Sequence, residues 1–291
     1  MIDLHIHSEK SDGKNSVQEI LAKYEERKVK IISITDHDTC LAYDELEQKN
    51  VRETYKGKII IGCEMTAVLQ CNSDVHILGY DMNINMVKNN LSKLYAPFKT
   101  RNIYAATVLL DKCKELGMTF DKEQIKFDVN KEHAVYSIYN ELMKHEENKR
   151  QIDEKNWGNV SSFIYNCIKN PQSRFFINLE GYIPNLDEVS QFIRDSKGKV
   201  FIAHFYQYDQ KTKMELIKAI HEGKIDGLEC FNPSHTQEQQ EKLIETCRKN
   251  NLFISGGSDY HGKANEGIQI GVSMPVELIK KWSRKDKEFD R

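Results

Sequence analysis

A β/α barrel interrupted by a helical insertion is the fold this sequence predicts, and three features predict it. Short apolar runs alternate with amphipathic stretches toward both ends of the chain. Between about Asn85 and Pro171 the strand signal fades and helical spacing takes over. Nearly every apolar run also closes on or near a His, Asp or Glu. A β/α barrel has this property when it carries chemistry, because its strand ends converge on the face where active sites lie. At 291 residues the chain is longer than one typical domain, but barrels reach this length as a single unit.

The first strand is expected over Ile2 to Ile6. A helix follows from about Ser16, where Ser16 and Glu19 have the spacing of a capping box and Ile20, Leu21 and Tyr24 share one face. Further strands are expected at Ile31 to Ile34, Lys58 to Gly62, Val75 to Tyr80, Lys199 to Ala203, Ile225 to Glu229 and Leu252 to Ser255. Helices are expected at Leu186 to Asp195, Met214 to Glu222 and Gln237 to Asn250. Inside the insertion, Phe98 to Leu116, closed by Gly117, and Glu132 to Lys144 read as helices. The charged run from Lys144 to Lys155, apolar only at Ile152, reads as a solvated helix or mobile loop. Met118 and the aromatic residues of the insertion are assigned to its core. The expected division is therefore residues 1–84 and 172–291 for the barrel and 85–171 for the insertion, acting as a partial lid.

Hydrophobic residues at 39% support a packed core and charged residues at 30% a well-solvated surface. A formal net charge of −2 argues against a protein that grips duplex nucleic acid by positive potential. The opening MIDLHIHSEKSDG has acidic and imidazole groups where a secretory signal needs a basic start and an apolar stretch, and no run approaches a membrane span. The cysteines number 7, an odd count without CxxC spacing, so neither a disulfide framework nor a thiolate zinc site is expected; a reducing cytoplasm fits.

The chemistry is carried by histidines and carboxylates. His5 and His7 are two apart, so on a strand their rings project from the same face and meet at one point. In TDHD at 35–38 a histidine sits between two carboxylates just after a buried strand. His37 is then a ligand, with Asp36 or Asp38 holding its second ring nitrogen. Lys58 to Gly62 leads to Glu64, Val75 to Tyr80 contains His76, and Lys199 to Ala203 leads to His204. GSDYHG at 257–262 repeats the two-residue spacing with Asp259 and His261, its glycines letting the backbone pass close to the site. Carboxylates mixed with imidazoles, without thiolates, suit Mn, Fe or Zn rather than Ca or a structural zinc.

Taken in order, DLHIHS, SDG, TDHD, GCE, VHILGY, IAH, GLECFNPSH and GSDYHG resemble the polymerase and histidinol phosphatase (PHP) family of phosphoesterases, from residue 3 to residue 262. Within it the chain is most similar to the stand-alone TrpH-like branch. That branch resembles nucleoside 3',5'-bisphosphate phosphatases and 5'-to-3' exonucleases on short RNA or DNA. The resemblance implies a distorted (β/α)7 barrel of the PHP type with two or three divalent metal ions. By motif, His5, His7, Glu64 and Asp259 would hold the first ion, and Asp12, His37 and His261 the second. Glu64 would bridge to a third completed by His76 and His204. Asp3 and Asp36 neighbour these ligands without belonging to the set.

The branch carries an Arg-Pro-His element in its insertion where this chain has Lys131, Glu132 and His133, so Lys131 and His133 become the expected substrate-binding residues. His235 matches a histidine of the branch that faces the substrate, as phosphate ligand or proton donor, and with Asp36 completes the expected catalytic set. The implied reaction is attack of a metal-bridging hydroxide on a phosphate ester of a nucleotide or short single-stranded oligonucleotide. A small-metabolite phosphatase such as one for histidinol phosphate, and a metal-binding protein without catalysis, are the alternatives. An amidohydrolase is disfavoured because no lysine sits at a matching strand end.

Overall fold

The computed structural model describes residues 1–71, 73–129, 132–262 and 270–284. The chain separates into two compact units, one made of Met1–Ala67, Val75–Leu94 and Asn185–Arg291, the other of Val68–Asp74 and Tyr95–Pro184. In chain order the elements begin β1 (Asp3–Ile6), α1 (Val17–Glu26), β2 (Ile31–Ile34), α2 (Ala42–Leu46), α3 (Lys49–Arg52) and β3 (Lys58–Ile59). They continue with β4 (Gly62–Val68), β5 (Asp74–Tyr80), α4 (Ile84–Leu94), α5 (Phe98–Glu115), α6 (Ala134–Leu142), α7 (Val160–Phe163) and α8 (Leu186–Asp195). The last are β6 (Lys199–Ile202), α9 (Gln210–His221), β7 (Gly227–Phe231), α10 (Gln237–Asn250), β8 (Phe253–Gly256) and α11 (Val276–Lys280).

The fold is α/β. One sheet has the order β1-β2-β3 and the other β4-β5-β6-β7-β8. β1, β2 and β3 run parallel, with Ile6 opposite Ile34 and Ile32 opposite Ile59, and β6, β7 and β8 are parallel as well. Two isolated parallel bridges, Ile6 to Tyr260 and His37 to Glu64, connect the sheets.

Two departures from an even β/α rhythm have local causes. The strand expected over 58–62 divides, with β3 ending at Ile59 and β4 starting at Gly62. A Cβ on Gly62 would lie 2.3 Å from Ser33 Oγ, so only glycine lets the chain pass over β2 at that point. The second departure is β5, antiparallel to β6 through Ile77 opposite Ile202 and Tyr80 opposite Lys199. The turn at 69–73 between β4 and β5 is too short for the crossover of a dozen residues or more that a parallel pair requires.

Helix starts in the first unit follow capping chemistry. Ser16 Oγ accepts from the Glu19 amide while Glu19 accepts from the Ser16 amide, and the same reciprocal box recurs at Asn185 with Glu188 and at Thr236 with Gln239. The core holds Leu4, Ile6, Ile20, Leu21, Ile32 and Ile34, all fully buried. Its tyrosines keep their hydroxyls paired: Tyr80 donates to the Leu4 carbonyl at 2.7 Å and Tyr43 to the Ile34 carbonyl at 2.8 Å.

The second unit has its own core, in which Leu109 and Cys113 of α5 meet Ile138 and Leu142 of α6 and Phe163 of α7, with Met118 in the same cluster. Gly117 ends α5 at φ +63°, as a helix terminator does. The charged run over 144–155 is largely exposed and helical, as expected, and is anchored at buried Asn148 and Ile152. Asn148 is buried and donates to the carbonyls of Thr119 and Leu142, and Tyr139 Oη donates to the carbonyl of buried Asn156. These asparagines pin the run, because a buried amide must satisfy its hydrogen bonds internally. Among the described residues, no helix is long and apolar enough to cross a membrane.

Candidate metal centre

Alternation along β1 turns Leu4 and Ile6 to one side and Asp3, His5 and His7 to the other, and all five are buried. The chain leaving β1 is fixed by Asp36. Its carboxylate accepts from the Ser8 amide and Ser8 Oγ, both at 2.7 Å, and from Ser11 Oγ at 2.6 Å. This holds the 8–13 loop so that Asp12 faces His7 Nδ1 at 3.3 Å and His261 Nε2 at 3.2 Å, with His37 Nε2 at 3.8 Å.

The role expected of Asp36 is thereby corrected: three hydrogen bonds from Ser8 and Ser11 use its carboxylate to hold the loop, and His37 faces Asp12 and Glu64 rather than Asp36. Asp38 Oδ1 accepts the Thr66 amide. The nearest carboxylate to His37 is instead Glu64, 3.4 Å from its Nδ1.

Glu64 is the hub. It lies on β4 and is 1% exposed, so every charge it carries must be met by protein groups. Oε2 is 3.1 Å from both His5 Nε2 and His7 Nε2, and Oε1 is 3.1 Å from His76 Nδ1 and 3.2 Å from His204 Nε2. Asp259 Oδ1 closes the cluster at 3.3 Å from His5 Nε2 and from His7 Nε2. The 256–259 segment reaches β1 through glycine: a Cβ on Gly257 would lie 2.3 Å from His5 Cβ. His261 stacks on His7 with ring centroids 4.0 Å apart. Asp38, His204 and Asp259 all have positive φ, a cost that structures carry where a site demands it.

Three sets of donor atoms lie within 4.8 Å of one another: His5, His7, Glu64 and Asp259; His7, Asp12, His37 and His261; and His37, Glu64 and His76. His204 is outside the third set though it touches Glu64. The residues fit divalent ions by a further criterion. His5 Nε2, both ring nitrogens of His7 and His204 Nδ1 are buried without hydrogen-bond partners, although carboxylate oxygens stand close to His5 Nε2 and to both His7 nitrogens. Ring nitrogens of His5 and His7 that stand beside carboxylates without hydrogen-bond alignment are the pattern that ligands for a divalent ion present.

Two residues at the site were not assigned from sequence. Glu229 on β7 is fully buried and accepts from His5 Nδ1 at 2.9 Å, the His204 amide at 2.7 Å and Asn232 Nδ2 at 3.0 Å. Asp3 accepts from the Ser258 amide and hydroxyl at 2.8 and 2.6 Å, from Tyr24 Oη at 2.8 Å and from the Gly271 amide at 2.9 Å. Asp3 shares the face of His5 and His7, a parity visible in the sequence. Glu229 gives no signal beyond its strand-end position.

His235 presents Nδ1 to the Cys230 carbonyl at 3.2 Å, while Nε2 is buried without a partner. Burial lowers its pKa, with the nearby His204 adding to the effect. The neutral ring so fixed carries its proton on Nδ1 and offers a lone pair at Nε2. In the second unit, His133 caps α6, is exposed, and meets Phe98 edge to face at 5.0 Å. Lys131 lies outside the described residues.

Burial disfavours the imidazolium of His5, but Glu64, Glu229 and Asp259 outweigh it and hold its pKa well above the usual value. His7 is raised in the same way by Asp12, Asp259 and Glu64 against its own burial. For His37 burial wins over Glu64, leaving a pKa of about 3. A raised histidine stabilises the metal-free fold below its unfolded value and loses that contribution as pH rises through the folded one. Ions compete for the same lone pairs. Raising the pH is therefore expected to weaken the metal-free fold and to tighten binding of a divalent ion, with protons released from His5 and His7. Calorimetry in buffers of different ionisation enthalpy reads the release; pH-independent affinity would contradict it.

An α/β fold enclosing a buried imidazole and carboxylate cluster suited to divalent ions defines the class of protein. The chain belongs to the PHP domain family, whose model matches residues 3–264. Three relatives span nearly all of it. It is 24% identical over 283 residues to a phosphoribosyl 1,2-cyclic phosphate 1,2-diphosphodiesterase of Eggerthella lenta, covering 94% of this chain and 99% of that one. It is 23% identical over 271 residues to the 5'-3' exoribonuclease Rnm of Escherichia coli, covering 89% and 84%. It is 22% identical over 287 residues to a 3',5'-nucleoside bisphosphate phosphatase of Chromobacterium violaceum, covering 96% and 93%. Among solved structures, a Bifidobacterium adolescentis protein provisionally described as a metal-dependent phosphoesterase has the same fold. The TM-score is 0.68 at 20% identity, over 96% of this chain and 94% of that one.

Proposed function

We propose that this protein is a metal-dependent phosphoesterase of nucleotides, releasing phosphate from nucleoside 3',5'-bisphosphates or nucleotides from the 5' end of short single strands. The observation that carries the reading is Glu64, whose two oxygens meet imidazoles from four separate segments: His5 and His7 at β1, His37 after β2, His76 on β5 and His204 after β6. Only cations placed among these groups give so many lone pairs a common purpose. The bridges from Ile6 to Tyr260 and from His37 to Glu64 favour a closed, distorted seven-stranded barrel around them.

Two or three ions are held in this reading, by His5, His7, Glu64 and Asp259, by Asp12, His37 and His261, and by Glu64 with His76 and His204; Mn, Fe and Zn all suit the donors. Bound there, they supply an activated water near neutral pH and neutralise phosphoryl oxygens. The chain's own residues do the rest. Asp12, the most exposed of the ligands, faces the open side where a phosphate enters. Asp36 keeps the loop under Asp12 rigid. His235 would accept at Nε2 the proton lost by the attacking water and pass it to the leaving oxygen. The substrate in this reading is a mononucleotide or the free end of a single strand rather than a duplex, in keeping with a formal net charge of −2.

The decisive experiment is elemental analysis of protein purified without chelator, followed by phosphate release across four substrates: a nucleoside 3',5'-bisphosphate, a 5'-phosphorylated oligonucleotide, a phosphoribosyl cyclic phosphate and histidinol phosphate. Absence of bound metal together with no metal-stimulated release from any of them would sink the reading. His235→Gln is expected to lower kcat by roughly 100-fold, in the range of a proton-transfer group, with metal content unchanged. An unaltered kcat would remove His235 from the chemistry.

A further inference from the structure

The carboxylate of Glu229 does two things at once. Its Oε1 faces His5 Nδ1 at 2.9 Å, and its Oε2 receives the His204 amide at 2.7 Å and Asn232 Nδ2 at 3.0 Å. His5 and His204 come from β1 and from the end of β6, so one buried group fixes two members of the cluster that are far apart in sequence. It acts on them differently: on His5 through the ring, on His204 through the backbone, which stands at φ +27° and is held there by this bond.

The donors on the Oε2 side cannot be reversed. The His204 amide has no alternative state. The Asn232 amide is oriented by its own Oδ1, which accepts the Ser234 amide at 2.9 Å, so its Nδ2 must point at Glu229. Asn232 is itself buried, at 6% exposure, so water does not compete for it. The Oε1 side is the side with a choice, because an imidazole carries its proton on either nitrogen.

We infer that Glu229 is a positioning residue that sets the His5 tautomer in the ion-loaded state, keeping the proton on Nδ1 so that Nε2, beside Glu64 and Asp259, is the nitrogen that gives up its proton to an ion. The inference rests on the metal-centre reading above. Its consequence is a sharp asymmetry in Glu229→Gln. The variant side chain has one acceptor and one donor end. The fixed donors of His204 and Asn232 require the carbonyl oxygen, which turns the amide NH2 toward His5. His5 then accepts at Nδ1 and carries its proton on Nε2, the atom 3.1 Å from Glu64 and 3.3 Å from Asp259. A protonated nitrogen is no ligand, so the set His5, His7, Glu64 and Asp259 loses a donor, while the set His7, Asp12, His37 and His261 keeps all of its own.

Zinc titration of the full chain, followed by elemental analysis and by 15N NMR of histidine-labelled protein, tests this. Wild type is expected to show His5 Nδ1 protonated and Nε2 bound in the zinc-loaded state. Glu229→Gln should weaken one class of zinc by roughly 10- to 100-fold, the usual loss when the group behind a ligand histidine is changed, and leave the other class unchanged. Equal weakening of all classes, or unchanged binding with the His5 resonances unmoved, would overturn the inference. Should the variant fail to fold, the wild-type spectrum still decides, because His5 bound through Nδ1 with its proton on Nε2 contradicts it. A wild type that takes up no zinc, manganese or iron would overturn the metal-centre reading instead, a result visible before any variant is made.

Discussion

Glu64→Gln is expected to be the most damaging single substitution in the cluster. It removes a buried charge, held well below the usual carboxylate range because His5, His37 and His76 outweigh the opposing effect of burial. Breaking a buried charge pair by taking one partner costs about 3 to 5 kcal/mol, and a loss of that size in ion binding would be roughly 100- to 4000-fold in affinity. Asp12→Asn should do less, because Asp12 is 54% exposed and water replaces part of what it gives. The measurement is turnover at saturating manganese with metal content in parallel. An Asp12 variant as impaired as the Glu64 variant would mean that the hub is misplaced.

Asp3→Ala is expected to act on the fold itself. Asp3 touches none of the proposed ions, yet it ties β1 to the segment carrying Asp259 through the Ser258 amide and hydroxyl, to α1 through Tyr24, and to the Gly271 amide. Removing it strands the buried backbone N–H groups of Ser258 and Gly271, besides the longer bond from the His5 amide, at about 1 to 3 kcal/mol each. For a protein of this size that corresponds to a fall in Tm of roughly 10 °C, present with and without ions. A scan of metal-free protein reads it, and an unchanged Tm would show that the network is replaceable by water.

The sequence made the repeating parts of the structure legible and hid the parts that depend on partners. Helices α8 and α10 fall where the apolar spacing put them, over Leu186–Asp195 and Gln237–Asn250, because both start at capping boxes. α9 begins at Gln210, earlier than Met214, since Asp209 caps it through the Thr212 amide and the first turn is polar. β4 was missed as a separate strand because the need for glycine at 62 arises from Ser33 across the sheet. In the cluster, the residues whose side chains converge share a simple signature, His, Asp or Glu at the close of an apolar run. Asp36 has that signature too, and only the hydroxyls of Ser8 and Ser11 reveal that its work is to hold a loop. Glu229 illustrates the converse: its meaning lies in His5, 224 positions away.

That separation has a consequence for the order of events when the chain folds. Asp3 bonds to Ser258 across 255 positions, and Ile2 exchanges backbone hydrogen bonds with Val272. Closing a loop of that length costs roughly 5 kcal/mol of chain entropy before any contact rewards it. A nascent chain on the ribosome therefore cannot complete its first strand's surroundings until the last strand has emerged: Asp12 and Glu64 reach His5 and His7 early, but Glu229 and Asp259 come only near the end. Non-local closure of this kind makes folding slow. Ions bound as proposed would join the two stretches of chain that met last, so their removal is expected to shorten the lifetime of the native state.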